Sequence, residues 1–183
     1  MLKRRTLLQA SIAGTMVAGL AGVAVVANLV EPEERDGWQP VAWPFPRDNY
    51  PAGRAWRGHD LEVYVRPKLG LCGNCDTGVV ADSELDRVSD IDLLDEKFTP
   101  LKDGTRVRLT DLFGRARLYR TKTRTGRERL AEGIAVSHEC DLIVALVVGK
   151  VEDEATRKFA HRFLESNKVQ VWLNRQLEER ATK

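Results

Sequence analysis

Asp141-Leu142-Ile143-Val144-Ala145-Leu146-Val147-Val148-Gly149 decides the fold, together with the residues next along the chain: Glu152-Asp153-Glu154, then Ala155, Phe159, Phe163 and Leu164. A short, almost wholly apolar run closed by glycine has the character of a strand buried on both faces. The three acids suit the positive end of a helix, and the apolar residues after them recur at the spacing of one helical face. Val169-Gln170-Val171-Trp172-Leu173 is β-rich again, so the unit reads as strand, helix, strand. A right-handed crossover then lays the two strands parallel in one sheet. A second reading puts Val169, Trp172, Leu173 and Leu177 on one face of another helix, with Asn167 as its cap.

Upstream, Leu61-Glu62-Val63-Tyr64-Val65 alternates as a strand should, with Pro67 as its end. Asp82 to Glu96 reads as a short helix plus loop around Leu85, Val88 and Leu93-Leu94. Arg106 to Leu109 and Arg115 to Lys122 read as strands, and a turn at Thr125-Gly126 closes a hairpin onto Arg129 to Val136. The class is therefore α+β, with residues 59–183 forming a small mixed β-sheet domain that ends in the strand-helix-strand unit. Ahead of it, residues 31–58 intersperse Pro32, Pro40, Pro44, Pro46 and Pro51 with Trp38, Trp43, Phe45, Tyr50 and Trp56. That proline density predicts an extended strap or linker. Its three tryptophans need burial, either against the strap's own domain or against a partner subunit.

The chain has 183 residues, 43% hydrophobic and 31% charged, which fits one globular core and excludes a disordered tail, a collagen-like chain or a polytopic membrane protein. Residues 1–30 are of another kind. Lys3-Arg4-Arg5 precedes Thr6-Leu7-Leu8-Gln9, and an uncharged stretch rich in Ala and Gly then runs from Ala10 to Val30. This order resembles a twin-arginine export signal, with Lys3 and Leu7 departing from the commonest residues at their positions. Val25-Val26-Ala27 is a marginal cleavage site. Uncleaved, residues 10–30 would form a transmembrane anchor of roughly 30 Å, the thickness of the hydrocarbon core. Arg4 and Arg5 would keep its short side in the cytoplasm. The expected location is the periplasm or the periplasm-facing inner membrane.

Outside that segment 26 basic residues balance 27 acidic ones, which is not the charge of a nucleic-acid-binding protein. The charge is nevertheless segregated. Asp76 to Glu96 holds eight acids against Arg87, and Lys102 to Arg129 holds ten bases against Asp103, Asp111 and Glu128. Two readings compete: the blocks neutralise each other side by side, or the basic hairpin docks on anionic lipid or an acidic partner.

Chemistry is concentrated in three cysteines. Cys72-Gly73-Asn74-Cys75 is a C-x-x-C in a glycine-rich turn, and His138 and Cys140 stand two apart just before the apolar strand. On an extended backbone the latter two share a face, so Cys72, Cys75, His138 and Cys140 are a candidate Cys₃His zinc site. A disulfide, either Cys72 to Cys75 or one of them to Cys140, is the competing reading in an oxidising compartment. A redox dithiol is a third, although Thr77-Gly78 interrupts the helix such a motif needs and Asp76, Asp82 and Glu84 would raise a thiol pKa. Inert burial of the thiols is a fourth. Asp82, Glu84 and Asp86 have calcium-loop spacing, but Arg87 replaces the required glycine, and they read as a solvated helix face. His59 and His161 have no visible partner in the sequence.

These features lead to an accessory or assembly subunit at a bacterial-type cell envelope, exported or membrane-tethered through residues 10–30 and working beside a larger envelope protein or complex. More consistent with a non-enzyme, it holds no recognisable acid, base and nucleophile set. The alternative is a periplasmic thiol-disulfide oxidoreductase or metal-transfer protein using Cys72 and Cys75.

Overall fold

Strand-forming segments, three pairs of them joined by two-residue turns, build the sheet. In the computed structural model, which describes residues 37–46, 48–70 and 78–181, β1 (Gln39–Val41), β2 (Arg54–Gly58) and β3 (Leu61–Lys68) form one meander. β5 (Thr105–Leu109), β6 (Leu112–Lys122), β7 (Glu128–His138) and β8 (Asp141–Gly149) form a second, and β4 (Thr99–Pro100) pairs with β6 beside β5. The meanders join where β3 meets β8, giving the order β1-β2-β3-β8-β7-β6-β4, and every pairing is antiparallel. His59 and Asp60, at φ 54° and 62°, make the tight turn between β2 and β3 that keeps the hairpin's twist. Residues 1–36, Arg47 and residues 71–77 lie outside the described residues, and with them the export segment, Cys72 and Cys75. Among the described residues no helix is long and apolar enough to cross a membrane.

Two expectations are corrected. Val169 to Leu173 is not a strand, because it lies inside helix α4 (Asn167–Ala181), which comes directly after α3 (Glu154–Leu164). Burial shows the reason: Val169, Trp172, Leu173 and Leu177 are buried, whereas Val171 is 59% exposed, as a helical face requires and strand alternation forbids. With no second strand there is no crossover, so the sheet is antiparallel rather than mixed. Pro67, expected to end its strand, is instead paired with Ile143 inside β3. β2 pairs with β3 only from Leu61 to Val65, so at Pro67 the strand has a free edge and the missing N–H breaks no ladder bond.

The sheet is covered on both faces, which explains why β8 is apolar throughout in an antiparallel sheet. One face carries Val63, Val65, Ile134, Val136, Ala145 and Val147 under Phe163 and Leu164 of α3 and Trp172 and Leu173 of α4. Asp153 caps α3, its side chain accepting from the Thr156 backbone N–H at 2.8 Å. The opposite face carries Tyr64, Tyr119, Leu146 and Val148 under α2 (Ile91–Leu94), with Trp43 and Phe45 packed on them. Leu85 and Val88 of α1 (Asp82–Val88) cover Ala135 and Val144.

Residues 37–58 belong to the same compact unit as the rest of the domain. Trp38 and Trp56 are 4% and 3% exposed, and Trp38 stacks on Phe163 with ring centres 4.4 Å apart. Pro40 sits in β1, the outermost strand, where its lack of an N–H is harmless. Between β6 and β7 the backbones approach so closely that a Cβ on Gly114 would run into the Ala135 carbonyl oxygen.

Candidate functional site

The β7–β8 turn carries the one sequence-predicted site that the described residues reach. Glu139, at φ 52°, bends the chain between His138, the last residue of β7, and Cys140. The extended backbone that would put those two side chains on one face therefore ends between them. Cys140 is exposed and disulfide-bonded. The chain's other cysteines are Cys72 and Cys75. Asp141 fastens the turn to the end of the first meander, its carboxylate accepting from the Gly70 backbone N–H at 2.6 Å. His138 keeps its Nδ1 buried and, among the described residues, without a hydrogen-bond partner. Beside the turn lies an open groove of about 610 Å³ lined by His138, Glu139, Cys140 and Asp141 and, from α4, by Asn174, Leu177 and Glu178.

Zinc held by Cys72, Cys75, His138 and Cys140 requires Cys140 as a thiolate, and in this structure its sulfur is bonded to sulfur. Among the described residues no three His, Cys, Asp or Glu side chains converge on one point, and the C-x-x-C lies outside those residues.

Part of the segregated charge meets where α1 lies over β6. Asp82 and Asp86, one helical turn apart on α1, face Arg115 and Arg117, two apart on β6. Arg115 Nε donates to Asp82, and Arg117 reaches Asp86 at 2.8 Å. Tyr119 donates its hydroxyl to the same Asp86 at 2.6 Å. These two acids are thus turned onto the sheet rather than solvated as a free helix face. The Arg115 hydrogen bond, with help from the Gly104 N–H, holds the Asp82 carboxyl below its usual range. A carboxylate with a depressed folded pKa contributes stability above its unfolded value of about 3.9 and loses it as pH falls through the folded value. Asp82→Asn should therefore lower the melting temperature most near neutrality, with the gap to wild type closing as melts are run from pH 5 down to pH 2.

A second network, invisible in the sequence, is buried at the end of β3. Arg66 and Lys68 have side chains only 3% and 7% exposed. Arg66 grips both oxygens of Asp90 at 2.5 and 2.8 Å, and Lys68 reaches Asp90 at 2.5 Å. Asp48 supplies the remaining charge to Arg66 at 2.7 Å, and the Tyr50 ring lies 5.5 Å from Arg66 and 5.3 Å from Lys68. Two cations and two carboxylates leave the cluster neutral, which suits a clasp between residues 48–50, β3 and the α1–α2 junction.

The two isolated histidines also have surroundings. His59 packs its ring edge-on against Phe159, 4.5 Å between centres. His161 on α3 has its Nε2 2.9 Å from the buried carboxylate of Glu132 on β7. The signal for that pair was available: Glu132 shares strand phase with Leu130, Ile134 and Val136, so it had to point at whatever covers them. Neither a protein-family model nor a curated protein matches this chain.

Proposed function

We propose that this chain is an exported, envelope-facing accessory module, tethered or signalled through residues 1–30 and working beside a larger envelope protein. The observation that carries the reading is the Cys140 disulfide, since such bonds form and persist in oxidising compartments and are rare in the cytosol. The basic and apolar order of residues 3–30 points to the same compartment. Disulfide and antiparallel sheet together give a small domain rigidity without a metal, and zinc at Cys72, Cys75, His138 and Cys140 would belong to a reduced form of the protein.

One observation favours a second reading, a thiol-disulfide oxidoreductase. Cys140 is exposed at the edge of an open groove, and exposed disulfides are the more readily exchanged ones. Replacing Arg4 and Arg5 by Lys and monitoring both location and cysteine oxidation tests the export reading. Loss of export should leave the cysteines reduced.

A further inference from the structure

On the side of the sheet covered by α3 and α4, an open groove of about 450 Å³ is lined by Arg108, Ala155, Lys158, His161, Arg162 and Glu165. Lys158, Arg162 and Glu165 succeed one another along α3 and its C-terminal end at helical spacing, while Arg108 borders the groove from the edge strand with its guanidinium turned over the Phe113 ring and donating to Thr110 O and Asp111. Two fixed positive charges, on Lys158 and Arg162, thus face one carboxylate. That carboxylate is engaged: Glu165 accepts from the Thr110 backbone N–H at 3.0 Å, pinning the end of α3 to the β5–β6 turn. Lys158 pairs with Glu154, which is 70% exposed and easily exchanged for a ligand. Arg162 makes no ion pair among the described residues; its guanidinium rests 5.9 Å from the Phe159 ring.

Beneath the groove, Glu132 is the notable expenditure of charge. A carboxylate 5% exposed under a helix is costly to bury, and an apolar residue there would join the surrounding core. Glu132 instead holds His161 Nε2 at 2.9 Å and faces Arg157 Nε at 3.8 Å. A buried acceptor of this kind fixes the orientation of an imidazole.

We propose that this groove is a binding site for a phosphate group, clasped by the guanidinium of Arg162 and the ammonium of Lys158, with the His161 ring, positioned by Glu132, beside them. Guanidinium forks match phosphate oxygens bidentately and lysine adds a point charge. The phosphate could belong to a soluble ester or to a phospholipid headgroup, and the two sources are separable. This inference is independent of the export reading.

The test uses the full chain in a neutral detergent, with ring-labelled histidine observed by NMR during titration with inorganic phosphate and, separately, with short-chain phosphatidylglycerol. We expect a saturable displacement of the His161 ring signal, and about tenfold weaker binding in Arg162→Ala, an exposed position whose change should leave the melting temperature intact. Glu132→Gln should weaken binding and shift the free His161 signal, a readout that a purely structural carboxylate would not move together with affinity. Tighter binding of inorganic phosphate assigns the site to soluble phosphates, and tighter binding of phosphatidylglycerol assigns it to lipid. Absence of saturation by either up to about 10 mM, or equal binding by Arg162→Ala, overturns the proposal.

Discussion

Asp90→Asn is expected to lower the stability of the domain by about 3–5 kcal/mol, because it removes the carboxylate that two buried cations share and leaves Lys68 without one. Arg66 and Lys68 both direct charge at Asp90, and only Arg66 has a second carboxylate, in Asp48. Asparagine retains the size of the side chain and tolerates the left-handed conformation at φ 65°, so the loss isolates charge from backbone strain. For a domain of this size the drop corresponds to roughly 2–4 °C of melting temperature per kcal/mol. Calorimetry of Asp90→Asn checks it. A change within about 0.5 kcal/mol would mean that water reaches the cluster and that it does not clasp residues 48–50 to the sheet.

Trp38→Ala is expected to cost a similar amount, about 3–5 kcal/mol. The indole is 4% exposed and lies nearly parallel to Phe163 and Phe159, with centres 4.4 and 5.7 Å away. Removing it opens a cavity between the start of the described chain and α3, and His59 loses a neighbour as well. Denaturant unfolding should show a lower midpoint with the slope unchanged, as for a native-state cavity. If the variant were as stable as wild type, residues 37–58 would be dispensable to the fold and better regarded as a surface for another subunit.

Much of the fold was legible because alternation and turn chemistry agree locally. The hairpin of β6 and β7, the apolar β8, and the acidic start of α3 can all be read from short windows of sequence. Val169 to Leu173 was misleading because two periodicities share its residues: positions 169 and 173 are apolar on either count, and only the environment of Val171 separates them. Pro67 misled for a topological reason, since a proline is tolerated wherever the neighbouring strand has already ended. The opposed charge blocks could be counted in the sequence, but the register that sets Asp82 and Asp86 against Arg115 and Arg117 depends on how α1 lies over β6. His138 and Cys140 depend likewise on one residue, Glu139, whose turn conformation no spacing rule anticipates. Arg66 and Glu132 look like ordinary polar residues on alternating strands until the second covering layer is known, because a sheet face that looks free for solvent is buried once helices lie on both sides.

The most direct measurement of the export account is thiol labelling in intact cells, comparing wild type with the variant in which Arg4 and Arg5 are both Lys. A maleimide polymer that adds a fixed mass per free thiol counts the reactive cysteines among Cys72, Cys75 and Cys140. With Cys140 in a disulfide, the wild-type chain should take up one label before reduction and three after it, with a chelator making no difference. The retained variant should take up three labels without reductant. Three labels on the wild-type chain before any reduction, or labels released by the chelator alone, would contradict an oxidised, exported module, the second result pointing instead to a metal held by the same sulfurs.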